Sequence, residues 1–142
     1  MKKFYSILVF FIIVSCGTAN QISETTDMND IPEEDIVRIE NDELEYEIII
    51  IEPGFNTWLQ SIARPEGYYS QDYMEARNIQ WVISWNQRVL QPFQYDPNLY
   101  QLQIDYQPQI DYGYEVNYKL FNYLIYFQRT YNQRLGVFQP RI

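Results

Sequence analysis

The chain has 142 residues, of which 46% are hydrophobic, 20% are charged and 18% are aromatic, and its formal net charge is −9. This length accommodates one domain at most, and the negative charge removes the electrostatic attraction on which nucleic-acid binding depends. The sequence has no His and a single Cys, so the commonest general base near neutral pH and the usual zinc ligands are missing.

The N-terminal residues have the pattern of a signal peptide. Lys2 and Lys3 precede an apolar run over residues 4–14, which is too short to cross a bilayer as a stable helix. The run leads into Ile13, Val14, Ser15 and Cys16. This ending resembles the lipobox of bacterial lipoproteins, in which a branched aliphatic residue and a small residue precede the Cys.

The resemblance to bacterial lipoproteins implies a lipid anchor. In that family the Cys thiol receives a diacylglyceryl group and signal peptidase II cuts directly before the Cys, so residues 1–15 are expected to be removed by cleavage between Ser15 and Cys16. Several acyl chains on one residue make membrane attachment effectively permanent. The alternative is an ordinary secretory signal in which Cys16 is incidental.

An acidic segment follows the Cys. Between residues 16 and 47, eleven acidic residues accompany a single basic one, Arg38. The few aliphatic residues before position 43 show no sustained period, and like charges extend a chain. We therefore predict a flexible tether over residues 16–42 and a globular domain over residues 43–142.

The domain is expected to begin with one strand and two helices. Residues 44–51 alternate at first and then become a continuous β-branched run, which predicts a strand whose second half is covered on both faces. Asn56 is expected to cap a short helix to about residue 62. Ser70 is expected to cap a longer helix to about residue 90.

The C-terminal half is expected to add one strand and one helix. Residues 100–106 alternate apolar with polar side chains, the pattern of a strand with one wet face. A nearly all-apolar helix is predicted over residues 113–135, with Gly136 as its C-cap residue. The order strand, helix, helix, strand, helix predicts a small single α+β domain.

The body of the chain resembles a family of small bacterial lipoproteins whose domain has no known function. The resemblance rests on four stretches: EYEIIIIEPGF at 45–55, YYS at 68–70, WN at 85–86 and IDYQPQIDYGYEVNYKL at 104–120. It implies no activity, so no catalytic residue is carried over from it.

Three acidic residues of the last stretch are candidates for chemistry: Asp105, Asp111 and Glu115. Three carboxylates can ligate a hard cation, but their spacing does not match a calcium loop. A pair of them also resembles the acid and base of a glycosidase, although a small domain offers little room for a cleft. Capping, an Asx turn and pairing of Glu115 with Lys119 explain each residue singly. We predict no catalytic residue, metal or cofactor.

Aromatic side chains near these acids point to binding. The candidates are Trp81, Trp85, Tyr106 and Tyr112. Planar rings beside amide and carboxylate groups are typical of sugar recognition, but the same rings also fill small cores. We therefore take the four rings and the three acids together as the candidate ligand-binding set.

The combined expectation is a lipid-anchored, non-catalytic binding or assembly module of the bacterial cell envelope. Its partner is expected to be an envelope protein, for which the chain is an accessory subunit, or a glycan, with no role for nucleic acid. The alternative is a glycan-binding or glycan-cleaving protein that uses Asp105, Asp111 and Glu115 with Tyr and Trp platforms. The residues directly after Cys16 include no acid before Glu24; by resemblance to lipoprotein sorting, this predicts the outer membrane, with the domain facing the periplasm.

Overall fold

The computed structural model describes residues 28–142. The predicted signal peptide at residues 1–15, the lipidation site Cys16 and the first part of the predicted tether lie outside the described residues. Within residues 28–142, no helix has both the length and the apolar composition that a membrane crossing requires.

The described chain contains a two-stranded antiparallel sheet. Its strands are β1 (Ile36–Asn41) and β2 (Tyr46–Ile51). A short 3-10 turn at Asp42–Leu44 joins them, and the Asn41 side chain accepts two backbone N–H groups of that turn. Glu45 then takes a left-handed conformation with φ of 50°, which reverses the chain into β2.

Strand β1 lies in the segment that the sequence assigns to the tether. Ile36, Val37 and Ile39 are only 6%, 2% and 0% exposed. Val37 pairs with Ile50 and Ile39 with Ile48, so one face of the hairpin closes over the core. The predicted boundary at residue 42 therefore falls too late, because the surrounding acids conceal a short apolar alternation that becomes buried only in the folded chain.

Three α-helices follow the hairpin in the predicted order. They are α1 (Phe55–Ser61), α2 (Gln71–Val89) and α3 (Gly113–Thr130). The Ser70 hydroxyl accepts a hydrogen bond from the Tyr73 backbone N–H at 3.3 Å, which confirms the predicted cap of α2. The predicted α+β class and single small domain are confirmed.

Helix α3 ends earlier than its apolar pattern predicts. Tyr131 is its C-cap residue, and Asn132 takes a left-handed conformation with φ of 51°. The side chain of Gln128, 2% exposed, then accepts the Leu135 N–H at 2.7 Å. This buried polar contact folds the chain back on α3, so Gly136 is not the C-cap residue.

Helix α3 forms the centre of the domain. It packs against α2, β1 and α1, and eleven of its eighteen residues are buried. Leu120 and Leu124 are both 0% exposed. A helix with apolar residues on nearly every face is stable in water only when other elements surround it, and this arrangement supplies them.

The predicted strand at residues 100–106 is an irregular segment that joins no sheet. Three of its four alternating apolar residues, Tyr100, Ile104 and Tyr106, are buried, whereas the fourth, Leu102, is exposed. However, Asn86 takes both backbone groups of Ile104: its Nδ2 donates to the carbonyl oxygen at 2.8 Å, and its Oδ1 accepts the N–H at 2.8 Å. The prediction of a strand is wrong here because α2 side chains bind the backbone that a sheet would have used.

Candidate functional site

The aromatic members of the predicted ligand-binding set belong to the core. Their exposed fractions are small: Trp81 1%, Trp85 6%, Tyr106 7% and Tyr112 3%. The Tyr106 hydroxyl lies 2.5 Å from Asn117 Oδ1, to which it donates, and Trp85 Nε1 donates to the Leu102 carbonyl at 2.9 Å. These rings therefore offer no face on which a sugar can stack from solvent.

The acidic members of the set are exposed, and each has a local role. Asp111 Oδ1 accepts the Gly113 N–H at 3.0 Å and the Gln71 amide at 2.6 Å. Glu115 pairs with Lys119 at 3.2 Å, four residues along α3. Asp105 accepts a hydrogen bond from a side-chain amide two residues away. Among residues 28–142, no three Asp, Glu, Cys or His side chains are grouped so as to hold a metal.

A groove of about 600 Å³ runs between β2 and residues 98–104. Its floor consists of aromatic side chains from α2 and α3, namely Trp85, Tyr123 and Phe127. Ile49 and Ile51 of β2 are 40% and 52% exposed, and Leu102 on the opposite wall is 79% exposed. The prediction that β2 is covered on both faces is therefore wrong, and the uncovered side chains border this groove.

The backbone of β2 presents unpaired groups at the same edge. The Glu52 N–H donates to the Asp35 carbonyl at 2.8 Å. Every second residue of β2, counted back from Glu52, therefore points its backbone groups at β1; these residues are Ile50, Ile48 and Tyr46. By antiparallel geometry, the N–H and C=O groups of Glu47, Ile49 and Ile51 point away from β1. In the described part of the chain, no backbone hydrogen bond joins these groups to residues 98–104.

The opposite edge of the hairpin is bound by a side chain near its start. The Asn56 side chain donates to the carbonyl oxygens of Glu34 at 3.0 Å and Ile36 at 2.9 Å. Asn56 thus binds the edge of β1 rather than capping α1, whose N-cap residue is Gly54. The β2 edge, by contrast, faces the groove.

Two hydrogen bonds fix the ends of the groove. At the start of β2, the Tyr46 hydroxyl donates to the Asp105 carbonyl at 2.6 Å. At the end of β2, the Tyr131 hydroxyl donates to Glu52 Oε1 at 2.8 Å. These contacts hold β2 against the surrounding elements at both ends and leave the middle of its edge open.

The Glu52 carboxyl is almost enclosed, with 6% of the residue exposed. Burial raises the pKa of Glu52, and the hydrogen bond from Tyr131 partly opposes that rise. The pKa of Tyr131 is raised to about 12 by burial, by its hydrogen bond to Glu52 and by the charge of that carboxyl.

The sequence contains a signal for this groove in the run of four isoleucines at residues 48–51. Such a run is typical of a strand covered on both faces, whereas a two-stranded hairpin with α3 on one side covers a single face. The sequence therefore indicates the groove by containing more apolar strand residues than the predicted helices and strands can cover.

The comparisons with known proteins identify a family. A model of a family of unknown function (DUF6146) matches residues 4–139, so the chain belongs to that family. No match was found among curated proteins or among solved structures. The family membership brings no activity with it.

Proposed function

We propose that this family member is a lipid-anchored, non-catalytic protein of the bacterial cell envelope whose domain binds an extended segment of a partner protein along β2. The observation that supports this proposal is the open edge of β2, where unpaired backbone groups stand beside an apolar groove. A partner strand would pair with the backbone of Ile49 and Ile51 and place alternate side chains in the groove between β2 and the exposed Leu102.

An open, apolar strand edge is a feature that proteins normally avoid. Natural sheets cover such edges or protect them with charge, Pro or bulges, because an unpaired strand recruits other chains. In this domain four isoleucines lie in β2, whose outer edge faces the groove. A binding function explains why so apolar a strand has an open edge.

The glycan alternative has less structural support than the protein partner. Its four platform rings are buried, and Asp105, Asp111 and Glu115 each make separate local contacts. Nothing among the described residues places these carboxylates around a common cleft. A protein partner is therefore the function that the described surface fits better.

The envelope location rests on the N-terminal sequence. The lipobox resemblance supports lipidation of Cys16, and the absence of an early acidic residue after it supports the outer membrane with the domain facing the periplasm. The segment between Cys16 and the domain then acts as a spacer. Because the anchor holds the domain near the membrane, a partner in the same membrane would be met at high effective concentration.

The binding proposal is testable with a photo-cross-linking amino acid at Leu102, in the full-length protein in its native cells. Leu102 is 79% exposed at the groove wall, so the label does not disturb the core. We expect cross-links to one short segment of one envelope protein, identified by mass spectrometry. Cross-links scattered over many unrelated proteins would contradict a specific groove.

A pair of substitutions at Ile49 separates backbone pairing from side-chain contact. Ile49→Pro removes an N–H that points away from β1, so the hairpin is retained while partner pairing is blocked. Ile49→Thr keeps both the N–H and the β-branched shape and serves as the matched control. We expect the Leu102 cross-link to disappear with Ile49→Pro and to persist with Ile49→Thr. An unchanged cross-link in the Pro variant would show that the partner does not add a strand.

A further inference from the structure

A second cavity, of about 460 Å³, lies where α2 and α3 meet the chain that follows α3. Much of its wall is aromatic and comes from Tyr73, Trp81, Phe121 and Phe138. Three guanidinium side chains line the same cavity, those of Arg77, Arg134 and Arg141, and no described Asp or Glu lines it. The cavity thus combines positive charge with flat apolar surfaces.

The three cavity arginines have no carboxylate partners among residues 28–142. The ion pairs of that region instead involve Arg38 and Lys119. Residues 48–142 carry eight acidic and seven basic side chains, so three basic side chains around one cavity without an acidic one are an uneven distribution of charge. Like charges gathered around one cavity repel one another, and a bound anion relieves that repulsion.

Aromatic rings hold Arg77 in a fixed orientation. Its guanidinium carbon lies 3.3 Å from the centroid of the Tyr73 ring and 4.7 Å from that of the Phe138 ring. One of its nitrogens, Nη1, donates to the Tyr73 carbonyl at 3.0 Å. Stacking fixes the plane of a guanidinium but leaves its in-plane donors available, so Arg77 retains donors for an oxyanion.

Arg134 is also held in place. Its Nε donates to the Gly136 carbonyl at 3.0 Å, and its Nη2 donates to the Val137 carbonyl at 3.3 Å. Arg88 of α2 donates in turn to the backbone carbonyl of Arg134. The segment that carries Arg134 is therefore attached to α2, so the spacing between Arg77 and Arg134 is set by the fold.

Trp81, which lines the cavity, carries a buried donor without an acceptor. Trp81 is 1% exposed, and in the described structure its Nε1 has no hydrogen-bond partner. A buried donor without a partner is costly. Its indole ring stacks on Phe121 with centroids 5.5 Å apart, so the ring is fixed in the wall.

We propose that this cavity binds a phosphate group joined to a flat apolar moiety. Three guanidinium groups match a dianionic phosphate better than a monoanionic carboxylate, and arginine forks recognise phosphate oxygens in pairs. The exposed parts of Tyr73 and Phe138 in the wall contact the apolar part of the ligand. Because the cavity is separate from the groove along β2, this inference does not depend on the proposed function.

Phenyl phosphate is the probe that tests the cavity. In titrations of the full-length protein in a zwitterionic detergent, we expect saturable binding that is tighter than the binding of inorganic phosphate. Phosphatidic acid, a phosphomonoester lipid, is added in mixed micelles of the same detergent as a second arm. Competition by phosphatidic acid identifies a lipid headgroup as the phosphate source, and its absence identifies a soluble phosphate ester.

Substitutions locate the binding to the cavity. Arg77→Gln is expected to weaken phenyl phosphate binding on the order of tenfold or more, and Arg77→Lys is expected to weaken it too because the fork is lost. Arg129→Gln is the matched control, since Arg129 is exposed near the end of α3 and does not line the cavity. Circular dichroism confirms that each variant is folded. Absence of saturable binding, or equal weakening by Arg129→Gln, would overturn the proposal.

Discussion

Replacement of Ile39 by Ala tests whether β1 is part of the folded core. Ile39 is 0% exposed and lies opposite Ile48 in the hairpin. The substitution removes three buried carbons, at about 0.8 kcal/mol each, or about 2.4 kcal/mol of transfer free energy. The unfilled space against α3 adds to this loss, so we expect a destabilisation of about 3 to 4 kcal/mol.

Ile51→Ala is the matched control, because it is the same change in the same hairpin. Ile51 is 52% exposed, so only about half of the transfer term applies and no closed cavity is created. The expected loss is therefore about 1 kcal/mol. If residues up to 42 were only a tether, the ranking would reverse, since Ile39 would then contribute nothing.

Urea unfolding of the chain from residue 17 onward measures the difference, with the fluorescence of its three Trp residues as the signal. For a domain of this size, a loss of 3 to 4 kcal/mol lowers the urea midpoint by roughly 2 M. The slope of the transition serves as a check that both variants unfold from the same native state. A midpoint for Ile39→Ala equal to or above that for Ile51→Ala would refute the placement of β1 in the core.

Three further predictions concern separate parts of the chain. Asn86→Ala should cost about 1 to 3 kcal/mol, since two buried backbone groups of Ile104 lose their partner, and amide hydrogen exchange at Ile104 should accelerate; unchanged exchange would show that other contacts hold the segment. Burial raises the native pKa of Glu52 above its ordinary value of 4.5, so stability should fall as pH rises from 4.5 through the native pKa, and the fall should disappear in Glu52→Gln, as measured by urea midpoints across that range. Cys16→Ser should abolish incorporation of a clickable fatty acid in cells; equal labelling of the variant and the native protein would contradict the lipid anchor.

The helical part of the fold could be predicted because its signals are local. Ser70 is a capping residue, and its hydroxyl binds the first turn of α2 as expected. The apolar composition of α3 predicts a central helix, and other elements surround it. The end of α3 could not be predicted from the local sequence, which favours a C-cap at Gly136. The helix ends at Thr130 instead, and a buried hydrogen bond between Gln128 and Leu135 holds the chain that follows.

The sequence by itself determined the α+β class, the order of the three helices and the burial of three of the four alternating apolar residues in 100–106. Capping, periodicity and apolar composition depend on residues within one or two helical turns, so they can be recognised from the sequence alone. Only the tertiary structure decided which backbone groups pair. Asn86 binds the backbone groups of Ile104 that a strand would use to join the sheet. Strand β1 forms within an acidic segment because the few aliphatic side chains of that segment pack against α3. The groove along β2 and the cavity around Arg77 also depend on the tertiary structure, because both form where elements distant in sequence meet. Burial and hydrogen bonding at these sites depend on which neighbours the fold brings into contact.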